Sequence, residues 1–365
     1  MKASTKQAWL IFHRWSGIIT GILIVLVGIT GSILIFEDEL DVAFNGDLYA
    51  VATADEHMPL DRITSSAEEQ NPNWQAFFVS RLDDAVERTF IVTLRHASGD
   101  EKQIFVDPYT ASVISERSSL SSMALIRRLH GDLTLGSIGE NTLGLLALLL
   151  MAMFMAGLVI WWPRKDTLKS ALSVKWDGGS RRVLRDLHNT SGVYLFFFLF
   201  LSALTVPPIV WKLTTPGGGP PPARAAASPS GPSSASPSAI QNSSPPQTIS
   251  WQQASDAALN VVPDTWLGFI LRPLGPQPFY LVRVFPPGEN AVSKQTTVFV
   301  NRYKGNIIRV SAPAAPTWTS LLSADFAASL HSGAIAGLPG RLIMFIAGLF
   351  FPALFVTGFI LWWRR

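Results

Sequence analysis

Residues 127–165 read RRLHGDLTLGSIGENTLGLLALLLMAMFMAGLVIWWPRK and decide the fold. A histidine, His130, and a short polar run precede about twenty uncharged residues, and the stretch ends in a tryptophan pair and a basic cluster. An apolar helix of roughly 20 residues spans the hydrocarbon core of a bilayer, because lipid offers no partner for unpaired backbone groups. The stretch therefore predicts a membrane-spanning helix preceded by a histidine.

The same arrangement returns at the end of the chain. There His331 precedes an apolar span that ends in the residues 362–365, WWRR. His130 and His331 are 201 residues apart, and so are Trp161 and Trp362. Because this spacing is constant, the histidine belongs to the repeated unit.

Composition indicates a polytopic membrane protein with extramembrane domains. Mean hydropathy is +0.28 and only 15% of the residues are charged, which is too apolar for an ordinary soluble protein of this length. Four stretches are long and apolar enough to span a bilayer: Gly17–Phe36, Leu143–Trp162, Gly192–Trp211 and Leu342–Trp363.

Basic residues set the predicted orientation. They concentrate before the first span, in the loop between the second and third spans, and at the end of the chain, and such residues favour the cytoplasmic side. Both termini are therefore predicted inside. Glu37-Asp38-Glu39 follow the first apolar run in place of a small-residue cleavage site, so we interpret this run as a retained anchor.

Two function classes are disfavoured by the residue content. The chain has no cysteine, which excludes disulfides, thiolate-bound iron–sulfur clusters and covalent c-type haem attachment. The net charge of +3 comes largely from the inner loop and the termini, so no nucleic-acid partner is expected.

The outer-side segments also repeat. Residues 104–114 (IFVDPYTASVI) and 298–308 (VFVNRYKGNII) share a strand that runs into an Asp- or Asn-led turn. Helices are predicted at 59–70 and 250–260. Strands are predicted at 75–81, 88–95, 102–106, 266–271, 279–284 and 295–300.

The predicted fold is an α-helical membrane protein whose four transmembrane helices form two parallel repeats, each with a small α+β domain on the outer side. The first and third spans begin with matching motifs, one that starts at His13 and one that starts at His188. The predicted segments are 1–36 (first span), 37–126 (first α+β domain), 127–163 (second span), 164–187 (basic inner loop), 188–211 (third span), 212–249 (flexible Pro/Gly/Ser linker), 250–328 (second α+β domain) and 329–365 (fourth span).

Four of the six histidines stand just ahead of the four spans. His13 and His188 are predicted at the inner face and His130 and His331 at the outer face, so each face receives one histidine from each repeat. Opposed imidazoles are what an iron porphyrin needs at its two axial positions, and two such pairs predict two b-type haems. Interfacial histidines that only hydrogen-bond headgroups are the alternative, and zinc or copper ligation is a lesser one.

Three arginines on the outer side, Arg127, Arg128 and Arg341, stand where the positive-inside rule disfavours them. They are candidate partners of haem propionates or of an anionic substrate. His130 and His331 precede their spans by about a dozen residues, which predicts an outer haem at or above the membrane surface.

The chain resembles the PepSY-associated transmembrane family and, within it, the iron-regulated siderophore reductases of the FoxB type. The resemblance rests on the motifs H13RWSGI, L129HGDL, I104FVDPYT, L187HNTSGVY and the ending from L330HSG to WW363. It implies a haem-containing oxidoreductase of the bacterial inner membrane, with periplasmic PepSY-like domains, that reduces Fe(III) in a siderophore and so releases iron. In this family the four histidines would be the axial iron ligands.

No nucleotide-binding glycine motif or flavin domain is present, so electrons are expected from a quinol or a separate reductase. A non-enzymatic PepSY-type receptor or regulator that binds a peptide or protein remains the alternative function. A transporter is disfavoured, because no span carries a charged residue near its middle.

Overall fold

A computed structural model describes residues 3–118, 121–211, 248–272, 274, 277–288, 294–313 and 323–364. The predicted linker at 212–249 lies almost wholly outside the described residues. The chain divides into two compact units. One contains residues 1–37, 122–215 and 314–365, and the other contains 38–121 and 216–313.

The first unit is helical. Its long helices are α1 (Ala3–Ile35), α5 (Ser137–Trp161), α7 (Ser180–Trp211) and α10 (Gly337–Trp363), and all four belong to segments that are long and apolar enough to cross a membrane. Helices α1 and α7 begin well before the predicted first and third spans. They start at Ala3 instead of Gly17 and at Ser180 instead of Gly192. A short helix, α6 (Leu168–Ala171), lies between the second and third of them. The chain is thus a membrane protein with four candidate spans in its described part.

Two short helices precede the second and fourth spans. They are α4 (Ser122–Asp132), which carries His130, and α9 (Ala324–His331), which ends at His331. Residues of positive φ follow each of them: Leu133, Thr134 and Gly136 after α4, and Gly333 and Gly337 after α9. These turns separate each histidine from the span that follows it in sequence.

Close backbone approach joins α1 to α10. A Cβ on Gly28 would lie 2.8 Å from the Gly348 carbonyl oxygen, so only glycine permits this contact. Ser32 Oγ donates across the same contact to the Phe345 carbonyl at 3.0 Å. Small residues at a helix crossing are the usual way in which helices pack in lipid.

The second unit is an α+β structure. Helix α2 (Glu37–Phe44) starts at its boundary, and α3 (Leu60–Glu69) and α8 (Trp251–Val261) pack on its sheet. The strands are β1 (Trp74–Ser80), β2 (Phe90–His96), β3 (Glu101–Val106), β4 (Val113–Ser118), β5 (Trp266–Leu271), β6 (Phe279–Phe285), β7 (Thr296–Asn301) and β8 (Ile307–Ser311).

The eight strands of the described residues form one antiparallel sheet in the order β4-β3-β2-β1-β5-β6-β7-β8. Pairing of β1 with β5, at Phe78–Leu271 and Ser80–Phe269, joins the two segments that the sequence predicted as separate small domains. Alternating apolar residues such as Val92 and Val282 turn one face of the sheet to the helices. The two segments therefore share one continuous core.

The helices α3 and α8 also cap each other. Asp61 accepts hydrogen bonds from the backbone of Trp251 (2.9 Å) and Gln252 (3.1 Å) at the start of α8. Gln252 in turn accepts one from the Leu60 backbone at 2.9 Å. Because the first N–H groups of a helix lack partners within it, these reciprocal bonds fix the two helices side by side.

Candidate functional site: two histidine pairs

The predicted inner pair lies between α1 and α7. The ring centres of His13 and His188 are 6.2 Å apart, and the ring planes are nearly perpendicular at 82°. His13 Nδ1 is 3.0 Å from the Met153 carbonyl oxygen of α5, and His188 Nδ1 is 3.0 Å from Thr357 Oγ1 of α10. All four long helices therefore contribute to this pair.

The predicted outer pair lies between α4 and α9. Its ring centres are 6.1 Å apart, with 55° between the ring planes of His130 and His331. His130 Nδ1 is 3.0 Å from the Val27 carbonyl and 3.3 Å from Thr30 Oγ1. His331 Nδ1 likewise has one backbone and one hydroxyl partner.

The His331 ring repeats the contacts of His130 on the other half of the chain. Its Nδ1 is 3.1 Å from the Ser202 carbonyl and 2.9 Å from Thr205 Oγ1. Ser202 and Thr205 stand at the same distances in sequence after His188 as Val27 and Thr30 do after His13. The two outer histidines are thus held at the same register of α7 and α1.

The hydrogen bonds fix one tautomer for these histidines. A carbonyl oxygen can only accept, so the Nδ1 atoms of His13, His130 and His331 carry the proton. Thr357 donates its own hydroxyl hydrogen to the Ala353 carbonyl at 2.7 Å, so it accepts from His188. Among the described residues, none hydrogen-bonds to Nε2 of any of the four rings, and each Nε2 is free to bind a metal.

The spacing of the rings fits a metal ion between them. A metal about 2 Å from each of two imidazole nitrogens separates the ring centres by about 6 Å, once roughly 1 Å from nitrogen to ring centre is added on each side. The observed separations are 6.2 and 6.1 Å. Both pairs therefore have a separation at which their two rings could hold one metal between them.

A cavity of about 660 Å³ opens beside the inner pair. Its walls include both histidines, five glycines and several phenylalanines, and basic residues line one part of it. Cofactor pockets typically have volumes of roughly 300–1,000 Å³ and mostly apolar walls. The cavity thus has the size and polarity of a cofactor site and contains the two candidate ligands.

Comparison with protein families matches residues 10–365 to the PepSY-associated TM region. The chain belongs to this family. A comparison with curated proteins finds no significant match. Since the family match covers nearly the whole sequence, the membrane helices and the α+β unit of this PepSY-associated protein both lie within it.

Glycines make room for three of the histidines in this PepSY-associated protein. A Cβ on Gly31 would lie 2.5 Å from His130 Cε1, and a Cβ on Gly157 or Gly358 would lie 3.1 Å from Cε1 of His13 or His188. Gly157 and Gly358 are 201 residues apart, the spacing of the second and fourth spans. These glycines leave space for the histidine rings, whereas Gly28 permits the close contact between α1 and α10.

Of the three arginines predicted at the outer site, Arg127 and Arg128 lie on α4, and Arg341 lies in the first turns of α10 and contacts the end of α1. Arg127 pairs with Glu37 and is largely exposed. Arg341 Nε donates to the Ile35 carbonyl at 3.1 Å, and its guanidinium lies 4.7 Å from the centre of the Phe36 ring. Arg128 is exposed. A cofactor role for these arginines stays a prediction.

The outer pair lies between one and two helical turns before the ends of α1 and α7. His130 contacts α1 at Thr30, five residues before the helix ends at Ile35, and His331 contacts α7 at Thr205, six residues before its end. These offsets correspond to about 7–9 Å along a helix. The turns after α4 and α9 let each histidine lie beside a neighbouring span. The depth of an outer haem relative to the membrane surface stays a prediction.

Threonines hydrogen-bond to Nδ1 of three of the histidines, and they were not identified from the sequence. Thr30, Thr205 and Thr357 were not singled out, because a threonine inside an apolar helix is common and usually bonds its own backbone. One signal was available. Thr30 and Thr205 are separated in sequence by the same interval as His13 and His188, which is the spacing of the first and third spans.

Proposed function

We propose that the protein is a di-haem oxidoreductase of the bacterial inner membrane that passes electrons across the membrane to Fe(III) in a siderophore. The observation that carries the proposal is the occurrence of two histidine pairs, each with rings about 6 Å apart and with Nε2 free. The inner pair would hold one b-type haem through His13 and His188. The outer pair would hold a second through His130 and His331.

A porphyrin explains these pairs better than a bare metal ion does. Among the described residues, no group of three or more His, Cys, Asp or Glu side chains is close enough to hold a metal. Zinc and copper sites usually take three or four protein ligands. A porphyrin itself occupies the plane around the iron and needs only two axial ligands from the protein.

The protein's own groups would position and tune such a site. Each Nδ1–H bond fixes the orientation and tautomer of its ring, and an acceptor at this position raises the basicity of the ligating nitrogen. Apolar walls such as Phe351 and Phe355 would surround the body of such a cofactor in the inner cavity. When bound, each haem supplies one-electron oxidation and reduction of its iron.

The distance between the two pairs suits transfer across a membrane. Thr30, which contacts the outer pair, follows His13 by nearly five turns of one helix, or about 25 Å of rise. The hydrocarbon core is about 30 Å thick. The two pairs therefore lie near opposite faces of the bilayer, with one helix running between them.

We further propose that the four spans form two parallel repeats related by a two-fold axis along the membrane normal. The equal registers of Val27 with Ser202 and Thr30 with Thr205 support this relation. The basic loop at 164–187 favours termini in the cytoplasm and an α+β unit in the periplasm.

The substrate assignment rests on the resemblance to iron-regulated siderophore reductases. A ferric siderophore holds iron far more tightly than the ferrous form, so one-electron reduction is a release step. The chain lacks a nucleotide-binding motif, so a quinol or a separate reductase would supply the electrons.

The test uses the purified full-length protein from haem-replete cells. We expect a Soret band that shifts on dithionite reduction, and reoxidation of the reduced protein by a ferric siderophore but not by its iron-free form. The variant His331→Ala should lose the outer haem and slow this reoxidation. A colourless protein, or one whose cellular function survives replacement of all four histidines, would support the receptor alternative.

A further inference from the structure

Four basic residues line one part of the inner cavity: Lys6, Arg14, Arg181 and Arg185. Two come from α1 and two from α7, and no Asp or Glu is among the residues that line this cavity. Lys6 and Arg181 also stand close to the starts of α1 (Ala3) and α7 (Ser180), and a helix start carries partial positive charge. This part of the cavity is therefore positively charged and suited to bind an anionic group.

The side chain of Arg14 carries the second observation. Its Nη2 atom is buried and has no hydrogen-bond partner in the described part of the chain. A buried guanidinium nitrogen without a partner costs free energy, because the group has lost water and gained nothing in its place. Because Arg14 lines the cavity, this nitrogen is a candidate to donate a hydrogen bond to a ligand bound there.

Two of these cations stand at the same position relative to the two histidines. Lys6 and Arg181 each stand seven residues, two helical turns, before His13 and His188 and so share the same helix face. Arg182, by contrast, lies outside the cavity walls and is 3.8 Å from Asp186. The four cavity cations thus form one group with the histidine pair, and their neighbour does not belong to it.

We propose that Lys6, Arg14, Arg181 and Arg185 bind the two carboxylates of the inner cofactor, the propionates of a haem. This inference rests on the proposed function. The ligand must have an anionic end at the cations and an apolar body against the phenylalanines, and it must reach His13 and His188 in the same cavity. A haem combines these three properties. A phospholipid would satisfy the first two but has no group that binds to His13 and His188.

The experiment is a double-mutant cycle between the protein and the cofactor. Full-length protein from haem-deficient cells, in detergent, is titrated with haem and with haem dimethyl ester, whose propionates carry no charge. For Arg14→Gln, we expect inner-site affinity for haem to fall roughly 10-fold or more, since charge-assisted hydrogen bonds are lost. Affinity for the ester should change little, and Arg14→Lys should retain most of the haem affinity.

Arg182→Gln is the matched control and should leave both affinities unchanged. If Arg14→Gln weakens haem and the ester equally, the proposal is overturned, because the loss does not involve the carboxylates. An effect that appears only in nanodiscs with anionic lipid and not with zwitterionic lipid assigns the cations to headgroups and also overturns it. Failure of the unmodified protein to bind haem would instead refute the proposed function itself.

Discussion

Gly31→Ala should selectively disturb the outer pair. The added Cβ would lie 2.5 Å from His130 Cε1 and 3.1 Å from its Nδ1, whereas an ordinary contact is at least 3.4 Å. The ring would have to retreat by about 0.9 Å. Its Nδ1 is already bonded at 3.0 Å to the Val27 carbonyl and at 3.3 Å to Thr30, so this movement breaks one or both bonds.

The expected cost follows from these contacts. Inserting a methyl group into a packed interior costs about 1–3 kcal/mol. Loss of the group behind a metal-bound histidine typically weakens the site about 10- to 100-fold. Outer-haem affinity of Gly31→Ala should therefore fall by this factor, while the inner haem is retained.

The assay is the haem-to-protein ratio together with the low-spin electron paramagnetic resonance signals of the two haems. Gly131→Ala is the matched control, because it adds a methyl group next to His130 on α4, where no atom lies within 4 Å. It should keep both signals. Two unchanged low-spin haems in Gly31→Ala would refute the placement of His130 as an outer ligand.

Three further predictions concern other groups. Thr30→Val and Thr205→Val should each raise the midpoint potential of the outer haem by tens of millivolts, since a weaker acceptor lowers ligand basicity and stabilises Fe(III) less. Burial alone would raise the pKa of the Asp41 carboxyl, but hydrogen bonds from Arg117 and Tyr49 lower it below its ordinary value. The ionised Asp41 therefore stabilises the folded chain above the unfolded pKa of about 3.9, and this stabilisation is lost as pH falls through the folded pKa. Asp41→Asn should lower the melting temperature at pH 7 and make the melting temperature less dependent on acid pH. Ser80→Cys with Phe269→Cys should form an internal disulfide in this cysteine-free chain. The two residues are directly opposite each other as a non-hydrogen-bonded antiparallel pair, and such pairs have Cα atoms about 4.5 Å apart.

Each of these predictions has its own control. Thr30→Ser should restore the potential, and a potential unchanged in both valine variants would remove the tuning role. Thermal unfolding of the full chain at pH 7 and at about pH 2.5, below the unfolded pKa, measures the Asp41 effect, and an identical acid dependence in Asp41→Asn would contradict it. Leu281→Cys, on β6, should not bond to Ser80→Cys, since β6 does not pair with β1. Cross-links only between chains would contradict the single sheet.

Periodicity predicted the regular elements well where a local pattern exists. The six predicted strands lie within two residues of the observed ones, because their apolar residues face a buried core. The strands β4 and β8 were missed. They form the two edges of the sheet and contain no buried residue, and their sequences, VISERS and IIRVS, do not alternate apolar with polar residues.

Long-range arrangements were not predictable from single segments. Pairing of β1 with β5 joins strands from opposite halves of the chain, and nothing in either strand marks it as central. The position of His130 beside α1 depends on the turn at Leu133 and Thr134, which adopt positive φ although neither is a glycine. By contrast, the four histidines stood out because their spacing repeats with the spans.

Haem stoichiometry tests the central claim most directly. The full-length protein is purified from haem-replete cells, its haem is quantified as the pyridine complex, and its oxidised and reduced spectra are recorded. The account predicts two b-type haems per chain, one lost in a His13→Ala/His188→Ala variant and the other in a His130→Ala/His331→Ala variant. A protein without haem, or one whose haem content is unchanged in both variants, would contradict it.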